Sequence, residues 1–347
     1  MHMSDALLSP VVGGAFWAVS AGMIGWSARK IPVETDGSKT VLMGVMGAFV
    51  FAAQMINFTI PGTGSSGHIG GGLLLAVLLG PWRAFITLAS VLVIQALFFA
   101  DGGLLALGCN IFNMAFIPAF IAWPFVFRPI AGDGGSAMRL ATATIAAATF
   151  GLLAGAFSVV LQTSLSGISD LPFGAFLLFM LPIHAAIGIV EGVLTWSVLS
   201  FIASTEPGLL RTATETPTPK TGFVTASLFA AALAIGGALS WFASSNPDGL
   251  EWSIGKVTGK EALASPAESS HEYLAAMQDK LAFLPDYDFR RTDNPATGTT
   301  ETSPVNTGTS LSGIAGSLMV LLLAGAAGLA LRNRRGSPTT KRTTTDS

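Results

Sequence analysis

The chain contains 347 residues, of which 51% are hydrophobic and 11% are charged, and its formal net charge is -2. Soluble domains carry about 25% charged residues, so this composition, with a mean hydropathy of +0.62, excludes an ordinary soluble protein. The single cysteine, Cys109, excludes an internal disulfide and is interpreted as a small packing residue. We therefore expect an integral membrane protein that is surrounded by lipid and has no nucleic-acid partner.

Nine apolar segments are candidates for membrane-spanning helices, which require about 20 mostly apolar residues. In chain order they lie near residues 10–28, 40–60, 69–82, 84–100, 104–127, 139–162, 174–204, 221–243 and 311–331. The third segment is short and glycine-rich, so a partial or tilted span is an alternative there. The pattern predicts an all-α integral membrane protein with about seven transmembrane helices, followed by a two-helix C-terminal membrane unit.

The basic residues between these segments predict the orientation, because Lys and Arg in short loops favour the cytoplasmic side. The loops 1–9, 61–68, 101–103 and 163–173 contain neither residue, whereas basic residues occur in the alternate loops. These are Arg29, Lys30, Lys39, Arg83, Arg128, Arg139, Arg211, Lys220, Arg332, Arg334, Arg335, Lys341 and Arg342. A nine-span arrangement with the N-terminus outside and the C-terminus in the cytoplasm places all of them inside, and puts His2 and His68 together on the outer side.

The chain divides into two predicted membrane units. Residues 1–205 form the first, and a Pro- and Thr-rich cytoplasmic linker, 206–220, connects it to the second, 221–331. The second unit encloses an extracytoplasmic segment, 244–310, which begins with a turn, continues with amphipathic helical spacing over 260–284 and ends in a Thr-, Pro-, Gly- and Ser-rich part. Residues 332–347 are expected to be a cytoplasmic tail.

A chelation pattern stands at the start of the chain, in Met1-His2-Met3. The α-amine of Met1, together with the backbone nitrogen and imidazole of His2, can close two fused chelate rings on one ion. His68, in the glycine-rich turn 62–72, is the candidate for a further nitrogen donor. A planar set of nitrogens suits Ni(II) or Cu(II) and can hold low-spin Co(II), whereas Zn(II) prefers a tetrahedron. Residues 4–10 have no basic region or early cleavage site, so we expect no signal peptide.

Ionisable and amide side chains within the apolar segments are further candidates, because polar groups are costly at membrane depth. His184 and Glu191 lie seven residues apart in one segment and should share a helix face. They can pair with other helices, move a proton or line a metal path. Asn57 lies close to the glycine-rich turn and is a candidate to orient His68. The pairs formed by Gln54 with Asn57 and by Asn110 with Asn113 are typical of interhelical hydrogen bonding.

Several catalytic motifs are absent from the sequence. Gly37-Ser-Lys-Thr40 lacks the glycine before the lysine and the preceding strand that a phosphate-binding loop requires, so the chain has no ATPase of its own. There is no Ser/His/Asp set, no Cys pair and no His-Glu-x-x-His. An enzyme is therefore not expected, except through His184 and Glu191.

Three motifs together resemble a known family. The opening Met1-His2-Met3-Ser-Asp-Ala-Leu-Leu-Ser-Pro10, the stretch Asn57-Phe-Thr-Ile-Pro-Gly-Thr-Gly-Ser-Ser-Gly-His68 and the stretch His184-Ala-Ala-Ile-Gly-Ile-Val-Glu191-Gly are similar to the CbiM/NikM substrate-binding component of energy-coupling factor cobalt/nickel transporters. The similarity covers roughly residues 1–205. Residues 221–331, with Pro247-Asp-Gly-Leu-Glu251, resemble the small PDGLE-type CbiN/NikN component, fused here to the first unit.

The resemblance implies a transporter subunit. It implies that the Met1 amine, the backbone nitrogen and ring of His2, and His68 hold Co(II) or Ni(II) as cargo, with no other cofactor. It also implies partners, namely a transmembrane coupling protein (CbiQ/NikQ-like) and cytoplasmic ATPases (CbiO/NikO-like), in a bacterial or archaeal cytoplasmic membrane. Residues 3–6 depart from the Ile-x-x-Gly pattern common in the family, which leaves the chelating atoms unchanged.

Two alternatives follow from the same residues. One is a membrane enzyme or a proton-coupled carrier built on His184 and Glu191, which would act without ATPase partners. The other is a copper-handling membrane protein that uses the amino-terminal motif, because the same donors suit Cu(II). Nickel and cobalt fit the predicted donors equally.

Overall fold

The structure is a computed structural model that describes residues 2–31, 38–132, 136–209, 222–266, 269–290 and 306–333. Met1, residues 210–220 of the predicted linker, the segment 291–305 and residues 334–347 of the predicted tail are among the residues outside the described ranges.

The first unit contains seven helices and one short hairpin within the described residues. The helices are α1 (Pro10–Lys30), α2 (Ser38–Gln54), α3 (Gly72–Leu79), α4 (Pro81–Phe98), α5 (Leu107–Ala131), α6 (Ala137–Ser166) and α7 (Phe173–Thr205). The strands β1 (Phe58–Ile60) and β2 (Ser65–Gly67) pair antiparallel, with Thr59 opposite Ser66. Single 3₁₀ turns occur at Asp5–Leu7 and Pro207–Leu209. In α5, the section Phe112–Phe127 is π-helical and contains Pro118 and Pro124, which have no N–H to donate to the helix.

The second unit contributes four helices in its described part. They are α8 (Gly222–Gly237), α9 (Gly249–Thr258), α10 (Ser269–Leu281) and α11 (Thr307–Asn333), with 3₁₀ turns at Leu239–Phe242 and Pro285–Tyr287. The helices α8 and α11 are apolar, and α9 and α10 belong to the segment that connects them.

Six described helices are long and apolar enough to cross a membrane, namely α1, α4, α5, α6, α7 and α11. The apolar helices α2 and α8 are shorter than these. The all-α membrane fold with a C-terminal two-helix unit is therefore confirmed.

Two spans differ from their predicted bounds. The helix of the second apolar segment ends at Gln54, because residues 58–60 form strand β1 and pair with residues 65–67 instead. The third segment holds only the eight residues of α3, which extend about 12 Å and cannot cross a hydrocarbon core of about 30 Å. After Gly80 the chain turns into α4, so α3 is a partial span.

Close helix packing joins the two units. A Cβ atom on Gly44 of α2 would lie 2.8 Å from the carbonyl oxygen of Leu321 on α11, and one on Gly47 would lie 2.9 Å from Val320. Glycine at these positions allows the two helices to approach closely, as small residues do between membrane helices. The second unit is thus packed against the first through α2.

Candidate metal-capture site

The amino-terminal segment is folded into the helix bundle. Met3, Leu7 and Leu8 are fully buried. The backbone of Met3 is held by Asn110, whose Oδ1 accepts from the Met3 N–H at 2.8 Å and whose Nδ2 donates to the Met3 carbonyl at 3.2 Å. Asp5 Oδ1 accepts from the Ala106 N–H at 3.0 Å. Because the segment is anchored on both sides of residue 4, the backbone before it is placed inside the protein rather than on its surface.

His2 and His68 lie side by side. Their rings stack with centroids 5.2 Å apart and planes at 22°. The side chain of His2 is only 7% exposed. Residues 66 positions apart in the sequence are therefore brought to one point at the same end of the bundle. Met1, the third residue of the predicted donor set, lies outside the described residues.

The turn that carries His68 is held by Glu191 and Gln54. Both carboxylate oxygens of Glu191 accept backbone N–H groups of the turn, from Gly70 at 2.7 Å and from Gly71 at 3.1 Å. Gln54 Nε2 donates to the Gly70 carbonyl at 2.8 Å. Glu191 thus provides hydrogen-bond acceptors for two amides of an irregular segment inside the bundle. Non-helical backbone is tolerated at membrane depth only where the protein satisfies its polar groups in this way.

His184 does not share a hydrogen bond with Glu191 among the described residues. Its Nδ1 lies 2.8 Å from the carbonyl oxygen of Met180, one turn earlier on α7. His184 and His68 instead line one small cavity, together with Asp248. A Cβ on Gly249 would lie 3.0 Å from His184 Cε1, so the start of α9 rests directly on this histidine.

Asn57 lies near the turn but is not joined to His68 by a hydrogen bond in the described part of the chain. Its carbonyl oxygen accepts from the Ser244 N–H at 2.7 Å, and its buried side-chain Oδ1 has no partner there. His68 Nδ1 lies 3.1 Å from the carbonyl oxygen of the next residue, Ile69. The predicted orienting role of Asn57 has no geometric support.

Two residues beside His2 were not predicted from the sequence. Gln95 Oε1 lies 3.1 Å from His2 Nε2, and Asp101 Oδ1 lies 3.3 Å from His2 Nδ1. Gln95 is fully buried in α4, so its amide was detectable as an isolated polar group in an apolar segment. Asp101 follows the end of α4, and nothing in the residues around it indicates that it lies close to His2.

The PDGLE stretch anchors the hairpin next to His68. The Ser66 N–H donates to the Pro247 carbonyl at 2.8 Å, and Trp252 Nε1 donates to the Thr63 carbonyl at 3.0 Å. Asp248 caps α9 by accepting from the Leu250 and Glu251 N–H groups at 2.8 and 2.9 Å. Asp248 and Glu251 of the PDGLE motif thus form a capping box at the first turn of α9.

A second set of contacts from the same unit involves Asp101 and the backbone around it, next to His2. Tyr287 donates a hydrogen bond of 2.6 Å to Asp101 Oδ2. Gln278 Nε2 donates to the carbonyl oxygens of Ala96 and Gly102, both at 2.8 Å. Ala100 adopts φ 55, a left-handed conformation that is strained for alanine and directs the following Asp101 toward the site.

The electrostatics favour neutral imidazoles. Burial lowers the pKa of the His2 ring below its ordinary value and lowers the pKa of His68 to about 3. Burial alone would raise the pKa of Asp248, but positive charge at the site and the hydrogen bond from Glu251 hold it below the ordinary value. Neutral rings are the form that binds metal ions. No set of three His, Cys, Asp or Glu side chains able to hold a metal is found among the described residues.

Comparison with known proteins identifies both units. The profile of the CbiM family, described as a cobalt uptake substrate-specific transmembrane region, matches residues 2–209, and that of the PDGLE domain matches residues 221–333.

Two sequence relatives cover the first unit. The chain is 38% identical to a putative metal transport protein of Haloquadratum walsbyi, over 61% of this chain and 94% of that protein. It is 37% identical to the putative fused nickel transport protein NikMN of Archaeoglobus fulgidus, over 60% of this chain and 68% of that protein.

A solved structure agrees with the same assignment. A crystal structure of a truncated transition metal transporter superposes with a TM-score of 0.51 at 30% identity, over 59% of this chain and 99% of that one. The chain is therefore a multi-pass membrane protein that belongs to the CbiM family of cobalt and nickel transport components, in a form fused to a PDGLE unit.

Proposed function

We propose that this chain is the substrate-capture subunit of an energy-coupling factor transporter that imports Co(II) or Ni(II) across the cytoplasmic membrane. The observation that carries the proposal is the stacking of His2 on His68 at 5.2 Å inside the bundle. The donors are the amine of Met1, the backbone nitrogen and ring of His2, and the ring of His68. A planar nitrogen set of this kind suits both ions.

Energy for transport would come from partner subunits. The sequence has no phosphate-binding loop, so ATP hydrolysis is assigned to cytoplasmic ATPases (CbiO/NikO-like) that act through a transmembrane coupling protein (CbiQ/NikQ-like). The site end of the bundle faces outward in this proposal, with the C-terminus in the cytoplasm. The chain itself catalyses no reaction.

The hydrogen bonds of Glu191 favour this function over a proton-coupled carrier or a membrane enzyme. Both of its oxygens are engaged by the amides of Gly70 and Gly71, so its role is to hold the turn beneath His68. His184 lines the cavity beside His68. We assign it to the path of the ion rather than to proton transfer with Glu191.

Metal binding by the purified full chain tests the proposal. We expect Ni(II) or Co(II) to bind in competition with Cu(II) and Zn(II). One residue added before Met1 should abolish capture, since the amine would move out of the chelate, whereas the same residue added after Ser347 should leave capture unchanged. Normal binding by the N-terminally extended protein would contradict the proposed donor set. Because nitrogen sites in general bind Cu(II) most tightly, only a chain that binds Cu(II) but neither Ni(II) nor Co(II) would favour the copper-handling alternative.

A further inference from the structure

A chain of three hydrogen bonds connects His2 to the turn that carries His68. His2 Nε2 lies 3.1 Å from Gln95 Oε1, and Gln95 Nε2 donates to Gln54 Oε1 at 2.8 Å. Gln54 Nε2 then donates to the carbonyl oxygen of Gly70 at 2.8 Å. The glutamine side chains are at most 5% exposed. Burial of both side chains shields these three hydrogen bonds from bulk water.

The donor and acceptor roles along this series of hydrogen bonds are set at the Gly70 end. The Gly70 carbonyl can only accept, so the group of Gln54 that faces it must be the NH₂. The other group of Gln54 is then its oxygen, which requires the NH₂ of Gln95 opposite it. Gln95 consequently presents its oxygen to His2, and the ring nitrogen that faces it must carry a hydrogen. The network thereby assigns both amide orientations and one histidine tautomer.

This tautomer is the one that chelation requires. A neutral imidazole carries one N–H, so a hydrogen on Nε2 leaves the lone pair of His2 on Nδ1. The ring that joins the His2 backbone nitrogen to the ion passes through Cα, Cβ, Cγ and Nδ1, whereas Nε2 points away from it. Asp101 Oδ1, 3.3 Å from Nδ1, places negative charge beside this lone pair. A carboxylate beside a lone pair is unfavourable until a cation occupies Nδ1, and that cation is either a metal ion or a competing proton.

We propose that Gln95 and Gln54 are positioning residues for metal capture, which hold His2 in the Nε2–H tautomer and couple its ring to the His68 turn through Gly70. The proposal rests on the proposed function, because it presumes that His2 Nδ1 binds the ion. Glu191 holds the N–H side of the same residue, Gly70, while Gln54 holds its carbonyl side. The two histidines are thus set by one buried network.

The first test compares two glutamine variants in the full chain. Gln95→Met removes the acceptor for His2, and we expect affinity for Ni(II) or Co(II) to fall about 10- to 100-fold, as for other groups that orient a metal-binding histidine. The matched control is Gln162→Met. Gln162 is also buried and exchanges hydrogen bonds of 2.9 and 3.0 Å with Asn113 on α5. Its variant should retain affinity within about threefold, because it does not touch either histidine.

The second test reads the tautomer without metal. Nitrogen-15 NMR of the imidazoles in the metal-free full chain distinguishes Nδ1–H from Nε2–H, and the His2 signals are those lost in His2→Ala. We expect Nε2–H in the wild type and a mixture of tautomers in Gln95→Met. Gln54→Met should also give a mixture, since Gln95 is then free to rotate. This variant keeps the side chain of Gln95, so it serves if Gln95→Met fails to fold.

The outcomes separate this proposal from the proposed function. A wild-type chain that binds neither Ni(II) nor Co(II) overturns the proposed function and, with it, the role in capture. If the wild type binds metal but shows His2 as Nδ1–H, or if both glutamine variants keep wild-type affinity and tautomer, the positioning role alone is overturned.

Discussion

At the scale of single residues, burial makes the protonated form of His68 unfavourable. Its ring is buried against His2, and burial lowers the pKa of this ring to about 3. The pKa of a histidine in an unfolded chain is about 6.5. Between these values the unfolded chain binds a proton at this position and the folded chain does not. The free energy of unfolding should therefore decrease as the pH falls from about 6.5 toward 3.

This effect can be isolated with one substitution. The thermal unfolding midpoint of the metal-free protein in detergent should fall with decreasing pH more steeply in the wild type than in His68→Gln, which lacks the titrating ring. The pKa of His2 is also lowered by burial, so the variant should keep part of the slope. Parallel curves for the two proteins would show that His68 is not held neutral in the folded state.

At the scale of elements, the glycine-rich turn determines where His68 lies. Gly71 has φ 75, and a Cβ at this position would lie 2.6 Å from Val50 on α2. Alanine is therefore excluded both by the left-handed backbone and by contact with the neighbouring helix. We expect Gly71→Ala to lower stability by about 1–3 kcal/mol and to weaken metal binding, because the turn must shift away from Glu191 and Gln54.

A glycine on α1 provides the matched control. Gly14 is helical, and a Cβ there would meet nothing within 4 Å. Gly14→Ala should leave metal affinity unchanged and stabilise the helix by up to about 1 kcal/mol. Equal losses of binding in both variants, measured by titration with Ni(II), would contradict the role assigned to the turn.

At the scale of the whole molecule, the second unit contacts the site of the first unit at two places. Residues 246–252 hold the hairpin beside His68, and Tyr287 holds Asp101 beside His2. The α11 helix fixes this arrangement by packing on α2 at Gly44 and Gly47. Fusion of the two units in one chain keeps these contacts at a high effective concentration.

The contact at Tyr287 can be tested with the other tyrosine of the chain as control. Tyr287→Phe removes a hydrogen bond to a carboxylate, an interaction worth about 1.5–3 kcal/mol, and should lower both the unfolding midpoint and the metal affinity because Asp101 is released. Tyr273 on α10 is 69% exposed, so Tyr273→Phe should change neither quantity. An unchanged affinity in Tyr287→Phe would mean that the hydrogen bond from Tyr287 to Asp101 does not influence metal binding.

The sequence by itself determined the class of the protein, and it predicted which two histidines belong to the metal site. Composition and apolar segment length predict a membrane protein, because the bilayer imposes both. The fusion of two units follows from local motifs, and so does the choice of His2 and His68, since chelation at a chain start depends on adjacent atoms. These features are local, and each is legible in a short stretch of residues.

Only the tertiary structure decided how the site is supported. Gln95, Asp101 and Tyr287 meet near His2 although Tyr287 lies 186 residues from Asp101 in the chain. Glu191 binds the amides of Gly70 and Gly71 on the glycine turn rather than His184, which lies about 10 Å away along the same helix. Hydrogen bonds between distant elements depend on how the helices pack, and the residues next to a buried polar group do not show which distant group will be its partner.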